Sequence, residues 1–130
     1  MINHKPLFLS ACFFLLVFAG SATAVDTDTD GDGIVDIDDN CSAIANAGQE
    51  DSDGDGFGNI CDADITNDCV TGGPDFSEFH ACISKPGNGA GAHCFVADFN
   101  SDHKVNSKDF EIFEDLFGLA PGPSGLASCP

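Results

Sequence analysis

Asp26, Asp28, Asp30 and Asp32 occupy every second position of one short stretch that closes on Gly33, and Asp51, Asp53 and Asp55 repeat the pattern before Gly56. Side chains two apart on an irregular loop can converge on one point. Carboxylates held that close repel one another strongly unless a cation sits among them. Oxygen donors at loop positions 1, 3, 5, 7, 9 and 12, with glycine at 6, are the arrangement that suits calcium. The first such loop runs from Asp28 to Asp39, with candidate ligands Asp28, Asp30, Asp32, the carbonyl of Ile34, Asp36 and Asp39. The second runs from Asp51 to Asp62 and offers Asp51, Asp53, Asp55, the carbonyl of Phe57, Asn59 and Asp62. Both close on Asp, which reaches less far than the Glu of the standard helix-loop-helix site.

Two further loops follow. Counting from Asp64 gives Asp64, Thr66, Asp68, the carbonyl of Val70 and Asp75, with Gly72 leaving position 9 to a water and Cys69 at the turn position. Counting from Asp98 gives Asp98, Asn100, Asp102, the carbonyl of Lys104, Asn106 and Asp109, with His103 at the turn position. Histidine is among the less rare residue types at positive φ. Asp64, Thr66, Asp68, Asp75, Phe76 and Phe79 recur as Asp98, Asn100, Asp102, Asp109, Phe110 and Phe113, an internal repeat at an offset of 34. Val105, at position 8, is expected to point inward and pair with its counterpart in the third loop.

The elements that must hold these loops are few. Gly31, Gly33, Gly54, Gly56 and Gly58 disfavour helix, so the first half reads as loop wound around ions. Phe76, Phe79 and Ile83 then fall at helical spacing, with Pro86 and Gly87 as a stop. Phe110, Phe113, Leu116 and Phe117 form a second stripe that ends near Gly118. One loop and one amphipathic helix cannot bury their own stripe, but two such units packed antiparallel can share a small phenylalanine core. The expected fold is mostly irregular calcium-wound loop plus a small all-α pair of EF-hand-like loop-helix units, stapled by disulfides. The Pro- and Gly-rich tail from Ala120 has no packing pattern.

Asp39-Asn40-Cys41, then Asn46, Gln49 and Asp51, and finally Cys61-Asp62 resemble the thrombospondin type 3 repeat over about residues 26–64. Ser42 stands where that family usually has proline. The resemblance implies that Cys41 pairs with Cys61 and that the acidic loops bind calcium. From about Asp62 to Leu119 the duplicated loop-helix units resemble the dockerin type I fold, carried by Asp98-Phe-Asn100-Ser-Asp102, Asn106-Ser-Lys-Asp109 and Asp64-Ile-Thr66-Asn-Asp68. Cys69 and His103 replace the expected glycines. That resemblance implies docking of a cohesin-like partner through loop positions 10 and 11, here Gly73 and Pro74 in one unit and Ser107 and Lys108 in the other. The two faces are chemically unlike, which argues against symmetric two-way docking. The organisation expected is therefore a signal peptide at 1–24, a thrombospondin type 3-like repeat at 26–62, a dockerin-like pair at 63–119 and a tail at 120–130.

Composition supports an exported chain. Lys5 precedes an apolar run from Leu7 to Phe18, and Gly20-Ser21-Ala22 or Ala22-Thr23-Ala24 offers a cleavage site. The run is short for a membrane span. All 22 acidic residues lie beyond that leader, against Lys85, Lys104 and Lys108, and the whole chain carries a formal charge of −18. That charge opposes compaction without counter-ions and argues against nucleic acid and anionic lipid as partners. A disordered acidic tail is the alternative, but it does not require regularly spaced phenylalanines. Cys41, Cys61, Cys69, Cys82, Cys94 and Cys129 suggest three disulfides rather than a zinc cluster. Cys82 could pair with Cys69 or with Cys94, and Cys129 could tie back the tail. Ser77, His80 and Asp75 lie too close on one short helix for a catalytic triad, so no catalytic residue and no enzyme activity is expected. The function expected is that of a secreted, calcium-binding structural or adhesion-type module whose folding depends on Ca2+, facing a cohesin-like, matrix or cell-surface partner. A docking module is the alternative.

Overall fold

Two short helices carry most of the regular structure in residues 26–83 and 94–130, the part that the computed structural model describes. The leader, the glycine-rich linker from Pro86 to Gly91 and the helix stop at Pro86 and Gly87 lie outside the described residues. Helix α1 spans Gly73–Ile83 and α2 spans Ser107–Leu116, each fed by an acidic loop. Single 3-10 turns occur at Asn59–Cys61 and Phe95–Ala97, and no strand occurs among the described residues. The fold class is as expected: mostly loop, with two helices and disulfide staples.

Both helices start where a loop's last aspartate closes the first turn. Asp109 accepts from the Asn106 N–H at 2.8 Å while the Asn106 side chain accepts from the Lys108 N–H at 3.0 Å, a reciprocal capping box. Asp75 likewise accepts from the Gly72 N–H at 2.7 Å. Pro74 in that first turn has no N–H to satisfy. One carboxylate thus belongs to a loop and starts a helix.

The core is a stack of rings. Phe79 packs against Phe113 at 5.5 Å, Phe99 at 5.7 Å and Phe110 at 6.0 Å, with interplanar angles of 19°, 12° and 26°. Ala63, Ala97 and the Cys82–Cys94 disulfide complete it, and Val105 packs partly buried at its edge. The buried face of α1 is Asp75, Phe79 and Cys82. Phe76 and Phe117, both expected on the buried stripes, are largely exposed, and Phe117 lies just past the end of α2. The counterpart of Val105 in the third loop, Thr71, finds its backbone partners elsewhere. The Thr71 N–H donates to Leu119 O and the Gly118 N–H to Thr71 O, both at 2.8 Å, so the third loop pairs with the segment that leaves α2.

The disulfides are Cys41–Cys61, Cys82–Cys94 and Cys69–Cys129. The first is the pairing that the thrombospondin-like motif implies, and the other two settle the alternatives left open above. The tail, in contrast to its composition, is packed. The Gly122 N–H donates to Cys61 O at 3.0 Å, the Ser42 N–H to Pro123 O at 2.9 Å and the Gly125 N–H to Asp39 O at 2.8 Å. Ser124 Oγ donates to Gly56 O at 2.7 Å. Gly125 passes so close to the backbone of Asp36 and Ile37 that a side chain there would strike the Asp36 carbonyl oxygen. Residues 122–125 therefore strap the first two loops together before the chain reaches Cys129. Loop composition hid this because the contacts are made by backbone groups and glycine, which leave no hydrophobic pattern.

Candidate metal centres

In three of the four loops, acidic oxygens converge. One oxygen each from Asp28, Asp30 and Asp32 lies within 4.8 Å of the others, and the same holds for Asp51, Asp53 and Asp55 and for Asp64, Asp68 and Asp75. Ligands on opposite sides of a calcium ion, at about 2.4 Å each, would be about 4.8 Å apart. At that separation each pair of bare carboxylates repels by roughly 1 kcal/mol in bulk water and about 3–4 kcal/mol at an effective dielectric of about 20.

One hydrogen-bond pattern builds all four loops. The position-1 carboxylate accepts from the N–H of position 6: Gly33 to Asp28 at 3.1 Å, Gly56 to Asp51 at 3.0 Å, Cys69 to Asp64, and His103 to Asp98 at 2.8 Å. Position 6 is left-handed throughout, with φ of 98° at Gly33, 93° at Gly56, 70° at Cys69 and 66° at His103. The position-5 carboxylates of Asp32, Asp55 and Asp68 accept from the N–H of Ile34, Phe57 and Val70. These bonds orient the carboxylates within each loop.

Positions 9 and 12 divide the loops into two types. In the first two, position 9 clamps position 2: Asp36 accepts from the N–H and hydroxyl of Thr29, and Asn59 accepts from the Ser52 N–H while donating to Ser52 Oγ. Position 12, buried in all four loops, here bonds forward to the chain beyond it, Asp39 accepting from the Cys41 N–H and Asp62 from the Asp64 N–H. In the last two, position 12 holds the loop itself: Asp75 accepts from Thr66 and Gly72, and Asp109 from Asn100 and Asn106. The fourth loop brings together no acidic triad among the described residues. There the Asn106 side chain caps α2 and donates to the Lys104 carbonyl, Asn100 Oδ1 accepts from the Asp102 N–H, and Lys108 pairs with Asp102 at 3.6 Å.

A buried polar knot joins the first two loops. Asn40 donates its N–H to Gln49 Oε1 at 2.9 Å and accepts from Asn46 Nδ2 at 2.7 Å. Gln49 Nε2 donates to Asp39 Oδ1 at 2.6 Å, and the Asn46 N–H donates to Asp32 Oδ2 at 2.8 Å. The Asn40 carbonyl carries the knot into the second loop by accepting from the Gly58 N–H at 2.9 Å; the spacing of Asn46 and Gln49 signalled that these residues mattered, but not that both bond back to the ligand carboxylates Asp32 and Asp39.

The residues fit a divalent cation. Asp30 Oδ2 and Asp39 Oδ2 are buried without any hydrogen-bond donor, and both belong to the first loop. A buried carboxylate oxygen with no partner is costly, and a hard cation is the partner that an all-oxygen set selects. Burial, then the charges of Asp55, Asp53 and Asp64, pushes the Asp62 carboxyl up to about 8, against the N–H of Asp64. Asp30, Asp55 and Asp109 are also raised, chiefly by burial and then by neighbouring aspartates. All six described cysteines are in disulfides, so none of these six offers a thiolate to an ion. Ser77 donates to Gly73 O, Asp75 serves its own loop and His80 lies against Phe76.

Residues 20–49 match the thrombospondin type 3 repeat family model. That match takes in the first loop and the Asn46 and Gln49 knot and stops short of Cys61-Asp62. No curated protein and no solved structure matches the chain. The segment is thus thrombospondin type 3-like, and it precedes a small disulfide-stapled loop-helix fold consistent with the EF-hand and dockerin-like class.

Proposed function

We propose that this chain is a secreted, calcium-binding structural module of adhesion type whose folding depends on calcium, the disulfides holding part of the structure in its absence. The observation that carries the reading is the pair of donorless buried oxygens, on Asp30 and Asp39, in a loop whose three alternating carboxylates already converge. Calcium bound there would neutralise the crowded oxygens. The residues of the chain do the rest: backbone N–H groups aim the carboxylates, and the Asn40 knot holds the first two loops in register. The acidic side chains are occupied by their own loops rather than arranged as a separated acid and base, which supports a non-catalytic role. No helix among the described residues is long and apolar enough to cross a membrane.

Far-UV circular dichroism with and without chelator tests the dependence on calcium. Helical signal and melting temperature should fall on chelation and return with calcium, because an ion that binds only the folded state stabilises it by mass action. Magnesium should substitute poorly. A spectrum and melting point indifferent to chelator would exclude the proposal.

A docking role is the second reading. It is favoured by the exposure of Gly73, Pro74, Ser107 and Lys108, which occupy the positions that dockerin-like modules present to a cohesin-like partner. A binding isotherm against cohesins separates the two.

A further inference from the structure

Phe76 is 41% exposed and Phe117 is 55% exposed. Together with Phe110 and Phe113 they line an open groove of about 350 Å³ whose remaining wall is Glu114. The rings touch: Phe76 lies 6.4 Å from Phe110 and 5.9 Å from Phe113, and Phe113 lies 5.9 Å from Phe117. The floor of the groove is therefore continuous with the core, which holds it open. A contiguous aromatic surface of this kind is what a partner covers.

Charge says what kind of partner. The last turn of α2 holds Glu114 and Asp115 and no basic residue, at the helix end that favours cations. Both side chains are exposed, as are Glu111 one turn earlier and Glu78 on α1. Lys108 sits at the other end of α2, paired with Asp102. A second copy docked through the same groove would bring its own Glu111, Glu114 and Asp115 to the same place, and like charges oppose that association.

We infer that the groove docks a cationic amphipathic segment of a partner protein. An aromatic or long aliphatic side chain enters between Phe76 and Phe117, and lysine or arginine pairs with Glu114, Asp115 and the negative end of α2. This surface is distinct from the Ser107 and Lys108 face that opens the same helix. The inference rests on the calcium reading to the extent that calcium holds the loop-helix pair folded, so its test is made in calcium with the fold monitored separately.

The probe is a synthetic amphipathic helix of leucine, phenylalanine and lysine, titrated into the oxidised protein and followed by amide chemical shifts. Two comparison peptides carry glutamate for lysine, or serine for the apolar residues. The expected result is saturable one-to-one binding of the first peptide alone, with shifts centred on Phe76, Phe110 and Phe117. Phe117→Ser and Glu114→Lys should each weaken it about tenfold or more, by removing an anchor and a charge at the centre of the contact. Both residues are exposed, so both variants keep the fold, and circular dichroism checks this. Equal binding of the serine peptide would reduce the effect to bulk charge attraction and overturn the proposal. So would unchanged affinity in Phe117→Ser, or a concentration-dependent dimer abolished by that variant. A protein that is folded without calcium but still binds the peptide through the groove would sink the calcium reading alone.

Discussion

Asp39 is held through one oxygen only. Its Oδ1 takes two hydrogen bonds, from Cys41 and Gln49, and its Oδ2 takes none although it is buried. Asp39→Asn keeps the shape and removes the charge. It should weaken calcium binding at the first loop by about tenfold or more, since a directly coordinating anion is lost, and should stabilise the metal-free form by relieving repulsion. Isothermal titration and melts in chelator read the two effects separately. On the calcium reading protons and calcium would compete for these carboxyls, which fixes the sign of the pH response. Asp62, with its folded value raised to about 8 from 3.8, holds a proton in the metal-free fold at pH values where the unfolded chain has released it. Metal-free stability should therefore be greatest below pH 4 and fall as pH rises toward 8. In calcium the dependence should reverse, because protonation removes the ligand. Thermal melts across that range, with and without the ion, should cross.

At the scale of the loop, the left-handed residue at position 6 gives a direct comparison. Gly33 has open space where a side chain would go, so Gly33→Ala tests backbone strain alone and should destabilise by about 1–2 kcal/mol. His103 already carries that strain at φ 66°. His103→Gly should be neutral or stabilising by up to about 1 kcal/mol, the added freedom of the unfolded chain offsetting part of the relief. Denaturant midpoints of the two variants should move in opposite directions or differ by that margin. These loops were legible in the sequence because each position has its own chemistry: Asp at 1, a left-handed residue at 6, Asp at 12. The helices were legible as stripes, but only Phe79 and Phe113 are deeply buried, since each helix is too short to bury a whole face. The distinction between position 9 as a clamp and position 12 as a buried anchor was not legible, because Asp and Asn can do either and only the surrounding N–H groups decide.

At the scale of the whole molecule, the halves that the sequence separates are joined by its least patterned segment. The Cys69–Cys129 bridge links residues 60 apart, and chain entropy alone assigns it about 4 kcal/mol. Cys129→Ser should lower stability by up to that amount and weaken calcium binding in the first two loops as residues 122–125 loosen. Melting and titration of the variant, against Leu126→Ala as a surface control, check this. The strap also has a bearing on biosynthesis. Ser42 meets Pro123 across 81 positions of sequence, so the early loops leave the ribosome well before the residues that clasp them exist. A chain growing at about 5–20 residues per second thus exposes its anionic front end as an unfinished intermediate. Completion of that region therefore waits until residues 122–125 have been made and Cys129 has met Cys69.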